Sequence, residues 1–495
     1  MKKRPLWIKV VGQLTWLMAA GFLMTACTEG YDDDAAFESL VKNSTLATVN
    51  PDDIVYSASA DGGTFTFQWP VVHGAGGYAL TLLDVGNPEH PDTIATRVVD
   101  GCSTTTPRED DVNYMLLFRV LDNAALGNTA PKEISKKEFT TFTPTYASIP
   151  AVDETGQPTD LTKWFAENPI PADSMGVSLN FDLQAGANYI ISGDIDFGGQ
   201  QVGFRSTSKN DFANLSVAQN AKFITWAGFS LKYLNIDCSQ TNKPIIELSA
   251  EPGDTIKNLV GTGNYYFIEQ PINIQSCNIS KLGACLIQDQ GKYVVRTLAI
   301  NDCIIEIDRT AEATNAVNTD QIIKLTKSSY VTDFLVKNST IYSHEHTTSA
   351  FLQYNGRPKE LNVGNAELQK ISFVNSTLVN LSYGSNFRGD TRTQGQVTNY
   401  FTVERCIIVD CGKKNFCNAL LRQMSTAPTV SYYRNTYWWN GENVKEAQTG
   451  DGADNTGTAL DTDPDFTDPE NGDFTPRGAD QLYYQTGDPR WYATK

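Results

Sequence analysis

Residues 344–346 read His-Glu-His, a cluster of ligand-type side chains that holds two of the four histidines in this 495-residue chain. Two imidazoles and a carboxylate suit a transition metal only when another ligand and a supporting shell come from elsewhere. The two remaining histidines, His73 and His90, fall in a distant part of the sequence. No metal is therefore assigned, and His344 and His346 stand either as loop residues contacting sugar or as plainly exposed ones. A second set is basic. Lys324, Arg388 and Arg422 can each serve as a base or clamp a uronate carboxylate. A lyase would also need carboxylates holding calcium to acidify the carbon beside the uronate, and none cluster near them. Hydrolysis needs two carboxylates facing each other across the bond. Glu247 and Asp320 are the nearest candidates and fall on non-adjacent turns. No catalytic residue is assigned, and calcium is the one ion a lyase reading brings in. A third set is aromatic: Tyr432, Tyr433, Tyr437, Trp438 and Trp439 lie within "SYYRNTYWWNG". Adjacent strand residues point to opposite faces. One tryptophan is thus a platform for a sugar ring, or both close the end of the structure.

The elements that position these residues come from a repeat. A small residue recurs at Cys238, Cys277, Cys303, Ser339, Ser376, Cys406 and Thr436, at spacings of 39, 26, 36, 37, 30 and 30. The five central copies carry Ile279, Ile305, Ile341, Leu378 and Ile408 two positions later. Ile274, Ile300, Val336, Phe373 and Val403 stand three positions before, and Ile272, Leu298, Phe334, Ile371 and Phe401 five before. The residue just before the small one is often Asn or Asp, which tolerate positive φ. Each copy reads as strand, bend, strand with alternate apolar residues inward. Constant strands with variable loops predict a right-handed parallel β-helix over 160–450, its thiols stacked and buried. Cys411 and Cys417 are close enough in sequence to pair.

A further strand recurs once per turn, in "PIIEL", "CLIQD", "QIIKL", "AFLQY" and "ALLRQ". With Ile246, Ile287, Ile323, Leu352 and Leu421 inward, Glu247, Gln288, Lys324, Gln353 and Arg422 point outward, and "SNFRG" adds Arg388. Rungs about 4.8 Å apart give this polar stripe the spacing of a sugar unit; the alternative is an ordinary solvated face. Before the repeat, "DLTKWFAENP" offers Asp160 as N-cap of a short amphipathic helix that would cap the open solenoid end. Pro144, Pro150 and Pro158 mark a linker.

Residues 45–145 alternate around Phe65, Phe67 and Trp69, around Tyr78, Leu80 and Leu82, and around Tyr114, Leu116, Phe118 and Val120. Such strands predict a β-sandwich, so the fold class is all-β. The N-terminus has Lys2, Lys3, Arg4 and Lys9 ahead of "LTWLMAAGFLM", the layout of a secretory signal ending at residue 27. Removing it takes the formal charge from −18 to −22. So acidic a chain is a poor partner for nucleic acid, where phosphate contacts dominate. Residues 28–44 form an acidic tether, and 451–495 an acidic tail packing on the last coils.

Four resemblances follow. "LMTAC" ahead of "TEGYDDD" resembles a bacterial lipobox, which implies cleavage before Cys27, acylation of its thiol and, from the acidic run, export to the outer leaflet as in Bacteroidetes. The pattern "W…GAGGY.L.L" and then "Y.L.F.V" resembles a fibronectin type III or related immunoglobulin-like domain. Asn318, Thr319 and Asp320 match a triplet of polygalacturonases, but its companion motifs are absent. The tail, with "LQAGANYIISGDIDFGG", resembles Bacteroidetes surface lipoproteins that join a sandwich to a pectate-lyase-like helix among polysaccharide-utilisation genes. Together these imply an outer-membrane, surface-facing lipoprotein that binds polysaccharide, uronate-containing glycans among them. Transporters and surface enzymes would be its partners. The glycan-binding candidates are Lys324, Gln353, Arg388, Arg422, His344, His346, Trp438 and Trp439. A polysaccharide lyase and a structural or adhesive surface protein are the competing expectations.

Overall fold

The computed structural model describes residues 41–59, 64–86, 91–257, 265–308, 321–355, 368–389, 398–421 and 428–492. Cys27, the leader and tether up to residue 40, His90, Asn318, Thr319, Asp320 and Arg422 lie outside these. Two compact units divide at Thr143 and Pro144. In the described residues no helix is long and apolar enough to cross a membrane.

The first unit holds two antiparallel sheets. One is built from Val55–Ala58, Thr64–Gln68 and Ser103–Pro107, the other from Asp92–Val99, Tyr78–Asp84, Asn113–Val120 and Ser135–Thr140. The expected alternation sets their inner faces: Phe65, Phe67, Leu80, Leu82, Tyr114, Leu116 and Phe118 are buried in one core with Trp69. Phe65 meets Tyr114 edge-on across the sheets, ring centroids 5.4 Å apart.

The second unit is a parallel β-helix of three sheets. The first runs in chain order from Thr145–Ile149 to Thr429–Tyr433, and the second from Thr159–Asp160 to Thr436–Trp439. The third has six strands, from Ile195–Asp196 to Leu352–Tyr354. Its first coil thus includes the proline-marked stretch expected to be a linker, because Thr145–Ile149 pairs in parallel with Ser178–Leu183. The helix Leu161–Glu167 covers this end. Asp160 caps it, accepting from Thr162 N at 3.1 Å. Trp164 and Phe165 pack on Phe181, and Phe165 also meets Phe197 and Phe204.

The predicted column stands for its five central members. Ser276, Asp302, Asn338, Asn375 and Arg405 take φ between 47° and 54°, so the chain turns there and the next residue points inward. Cys303 N donates to Ser339 Oγ at 3.1 Å, and Ser339 N to Ser376 Oγ at 3.4 Å. Outside the bend, Asn375 donates to Asn338 and Asn338 to Asp302, at 3.2 and 3.1 Å. Both outermost placements are corrected. Lys232 pairs with Gln275 and Asn235 with Asn278, so Leu234, not Cys238, stands in line with Cys277. At the far end Thr436 pairs with Ile407, so Asn435 takes the column and accepts from Cys406 N at 3.0 Å. The last coil has a parallel neighbour on one side only, whereas Leu234–Asp237 lies inside the solenoid with parallel neighbours on both sides.

All eight cysteines in the described residues are free thiols, Cys411 and Cys417 included. Burial pushes Cys277 and Cys406 up to about 12 and Cys417 up to about 11. Thiolate is the reactive form. Of these eight, iodoacetamide should therefore label only the half-buried Cys102 in the folded protein, and all eight after unfolding. Fast labelling of any column cysteine before unfolding would contradict the buried column.

The C-terminal segment lies on the outer face of the second sheet. Phe474 packs with Tyr342 and Val379. Thr340 Oγ1 donates to Asp488 Oδ2 at 2.9 Å and accepts from Trp491 Nε1 at 2.8 Å. Asp488 N donates to Thr377 Oγ1 at 3.2 Å.

Candidate functional site

The outward positions of the third sheet come into register as the inward ones require. Ile246, Ile287, Ile323 and Leu352 pair coil to coil and are almost fully buried. A strand alternates faces, so Glu247, Gln288, Lys324 and Gln353 line up on the other side over four coils. The stripe is not uniform. Glu247 is nearly buried: Oε1 lies 2.7 Å from Lys222 Nζ, and Oε2 accepts from Gln290 Nε2 at 3.0 Å. Gln288 and Lys324 are half-buried. Gln353 is half-buried too and donates to Asn355 Oδ1 at 2.7 Å. In the described part of the stripe, then, Gln288, Lys324 and Gln353 offer amide and ammonium groups at one per coil.

Arg388 does not join them. It bridges to Leu352, the inward column, one residue out of the expected register. A one-residue slip moves a side chain to the opposite face, and Arg388 is 0% exposed. Gly389 takes the outward place instead. A Cβ there would fall 1.8 Å from Gln353 Oε1, so the Gln353 amide lies across bare backbone. In the next coil, Ala419, Leu420 and Leu421 belong to a helix rather than a strand. Phe416–Leu421 forms a short, almost wholly buried helix, with Asn418 N bonded to Asn415 Oδ1 at 2.9 Å. Helix C-terminal carbonyls need donors. Arg388 supplies them from inside, with Nε 2.9 Å from Leu420 O and a second bond to Leu421 O. Its guanidinium also sits 5.4 Å from the Phe401 ring centroid.

The histidine cluster divides. His344 Nε2 lies 3.2 Å from Glu306 Oε1, one coil back. His346 Nε2 lies 3.8 Å from Asp410 Oδ2, two coils on. Their charged partners lie in opposite directions along the solenoid. Among the described residues no group of three or more His, Cys, Asp or Glu side chains is placed to hold a metal.

The His346 ring instead lies flat on Tyr383, centroids 3.8 Å apart and planes 2° apart, and Tyr383 lies flat on Trp439 at 4.4 Å and 2°. Asn440 fixes the stack, accepting from Tyr383 OH at 2.8 Å while its N–H donates to Asp410 Oδ1 at 2.7 Å. Sugar stacking needs a free ring face, and this column spends both faces of Tyr383 and one each of His346 and Trp439. Trp438 points outward from the second sheet, in register with Val409 and half-buried. Among the described residues no ring stacks on it. Tyr383, Asp410 and Asn440 carry no periodic signal in the sequence, since each sits in or beside a turn.

One polar side chain per coil gives the stripe hydrogen-bonding groups at the period of the coils. Lys324 is the one basic side chain of the lyase reading that remains on it among the described residues.

Comparison with curated proteins returns no match. Among solved structures, a pectin methylesterase mutant in complex with a hexasaccharide aligns over 63% of this chain and 93% of its own, at 11% identity and a TM-score of 0.33. A protein of Geobacillus virus E2 aligns over 66% and 69%, at 10% identity and a TM-score of 0.28. Three consecutive family models, each described as a domain of unknown function, match this chain: DUF4992 over residues 1–186, DUF4957 over 187–344 and DUF5123 over 371–491.

Proposed function

We propose that the β-helix binds polysaccharide along the outer face of its third sheet. The observation carrying this reading is the coil-to-coil register of Gln288, Lys324 and Gln353. Outward polar groups about 4.8 Å apart match a ligand that itself repeats at the length of one sugar unit. The bound chain is presented to transporters and enzymes at the same surface. Affinity electrophoresis against plant and host glycans tests this. At least one glycan should retard the protein, and the combined Gln288→Ala, Lys324→Ala and Gln353→Ala variant should lose most of that retardation. Undiminished retardation of the variant sinks the stripe.

The setting belongs to the same proposal. Cys27 is acylated and anchors the chain at the outside of the outer membrane, and the first unit is a fibronectin type III-like spacer. Its three- and four-strand antiparallel sheets support that reading. In cells fed an alkyne fatty acid, the native chain should take up label and a Cys27→Ala chain none. Equal labelling of both would remove the anchor.

A further inference from the structure

The last coil carries a constellation that the stripe does not use. Arg434 occupies the bend position of the final repeat, with φ 52°. Its guanidinium lies between two rings, 4.7 Å from the centroid of Tyr433 and 4.1 Å from that of Tyr484. Tyr433 ends the first sheet, and Tyr484 ends the helix Ala479–Tyr484. Arg405 donates to Tyr484 O and holds that helix end in place. Tyr483, 80% exposed, stands edge-on to Tyr484 at 4.7 Å.

A guanidinium clamped this way has already lost its rotamer freedom, so a ligand gains more from each hydrogen bond. Among the described residues no carboxylate answers its charge. Arg205, Arg296, Arg477 and Arg490 each have an acidic side chain within ion-pair distance. Among the described residues Arg434 has none. Its further contact is through the backbone, N–H to Thr458 Oγ1 at 3.1 Å. Glu404, on the neighbouring strand opposite Tyr433, is bonded to Ser431 Oγ. In a chain of formal charge −18, a half-buried arginine with no acid partner, beside an open aromatic face, is built for an anion with an apolar side.

We propose that Arg434 and Tyr483 bind a uronate, a pyranose bearing a carboxylate. The guanidinium takes the carboxylate through two parallel N–H···O bonds, and the Tyr483 ring takes the C–H face of the sugar. The site rests on the glycan reading above and adds to it an acidic unit and a separate place, on the first sheet and C-terminal segment rather than the third sheet.

Affinity electrophoresis of the full chain against polygalacturonate, alginate, fully methyl-esterified pectin and polyglutamate tests it. The parent should bind at least one of the two uronans, and bind the esterified chain more weakly. Arg434→Gln and Tyr483→Ala should each weaken uronan binding about tenfold or more. Arg434→Lys, which keeps the charge and loses the planar fork, should fall between. Tyr483 is so exposed that its variant should keep the parent's melting temperature. The stripe variant should retain the Arg434-dependent part of binding. Uronan binding unchanged in both Arg434→Gln and Tyr483→Ala overturns this site, and if the stripe variant then loses binding, the glycan reading survives without it. Failure of the parent to bind either uronan overturns it as well. Polyglutamate bound as tightly as the uronans would assign the site to acidic protein segments instead.

Discussion

Arg388→Ala should destabilise the β-helix by about 3–5 kcal/mol, since two buried acceptors lose their donor at about 1–3 kcal/mol each and a cavity opens. The side chain is 0% exposed and bonds the carbonyls of Leu420 and Leu421. Cutting it back leaves those acceptors buried without donors, together with a cavity beside Phe401. Guanidinium chloride unfolding followed by far-UV circular dichroism measures the loss. Glycan retention of the folded fraction should not change, since this guanidinium faces the interior. A variant of unaltered stability that no longer binds glycan would restore Arg388 to the outer stripe and overturn the register described above.

A chain ending at Asp461 should be hit harder still. The removed segment carries Phe474, which is 1% exposed and packs against Tyr342 at a centroid distance of 4.7 Å. Losing a buried phenylalanine alone costs about 3–5 kcal/mol. The cut also takes Asp488 and Trp491 from Thr340, and Gln481 from Thr436. It bares an apolar strip made of Tyr342, Val379 and Val409 on a parallel sheet, a face such sheets rarely leave in water. The truncated protein should bind an apolar dye and aggregate on mild heating. Asp488→Asn is the gentle counterpart. Burial raises the Asp488 carboxyl above its ordinary value, although Arg490 beside it acts the other way. A raised carboxyl contributes most below its unfolded value and loses that contribution as pH rises through the folded one. The asparagine variant should therefore gain on the parent as pH rises above the ordinary carboxylate range, as melting temperatures would show. A truncated chain as stable as the parent would make the tail an ornament.

The central coils were legible because their physics is local. A bend that needs positive φ selects Asn or Asp, an inward slot at that bend selects a small side chain, and alternation fixes everything two residues away. Those rules placed Cys277, Cys303, Ser339, Ser376 and Cys406 in one column and put Glu247, Gln288, Lys324 and Gln353 on one face. They failed at three places. Cys238 stands four residues past the column residue Leu234, Thr436 stands one past Asn435 in the last coil, and the short apolar run "ALLRQ" fits strand and helix periods equally well.

The sequence by itself determined the solenoid, its alternating inward columns and the acidic, aromatic character of its ends. Only the tertiary structure decided what the charged and aromatic side chains do. One buried helix draws Arg388 inward to meet its carbonyls, two turns stack Tyr383 between His346 and Trp439, and the tail folds back to set Tyr484 over Arg434. Each depends on partners 30 or more residues away, brought within a few ångströms by coil stacking, and no pattern within a single repeat encodes that distance.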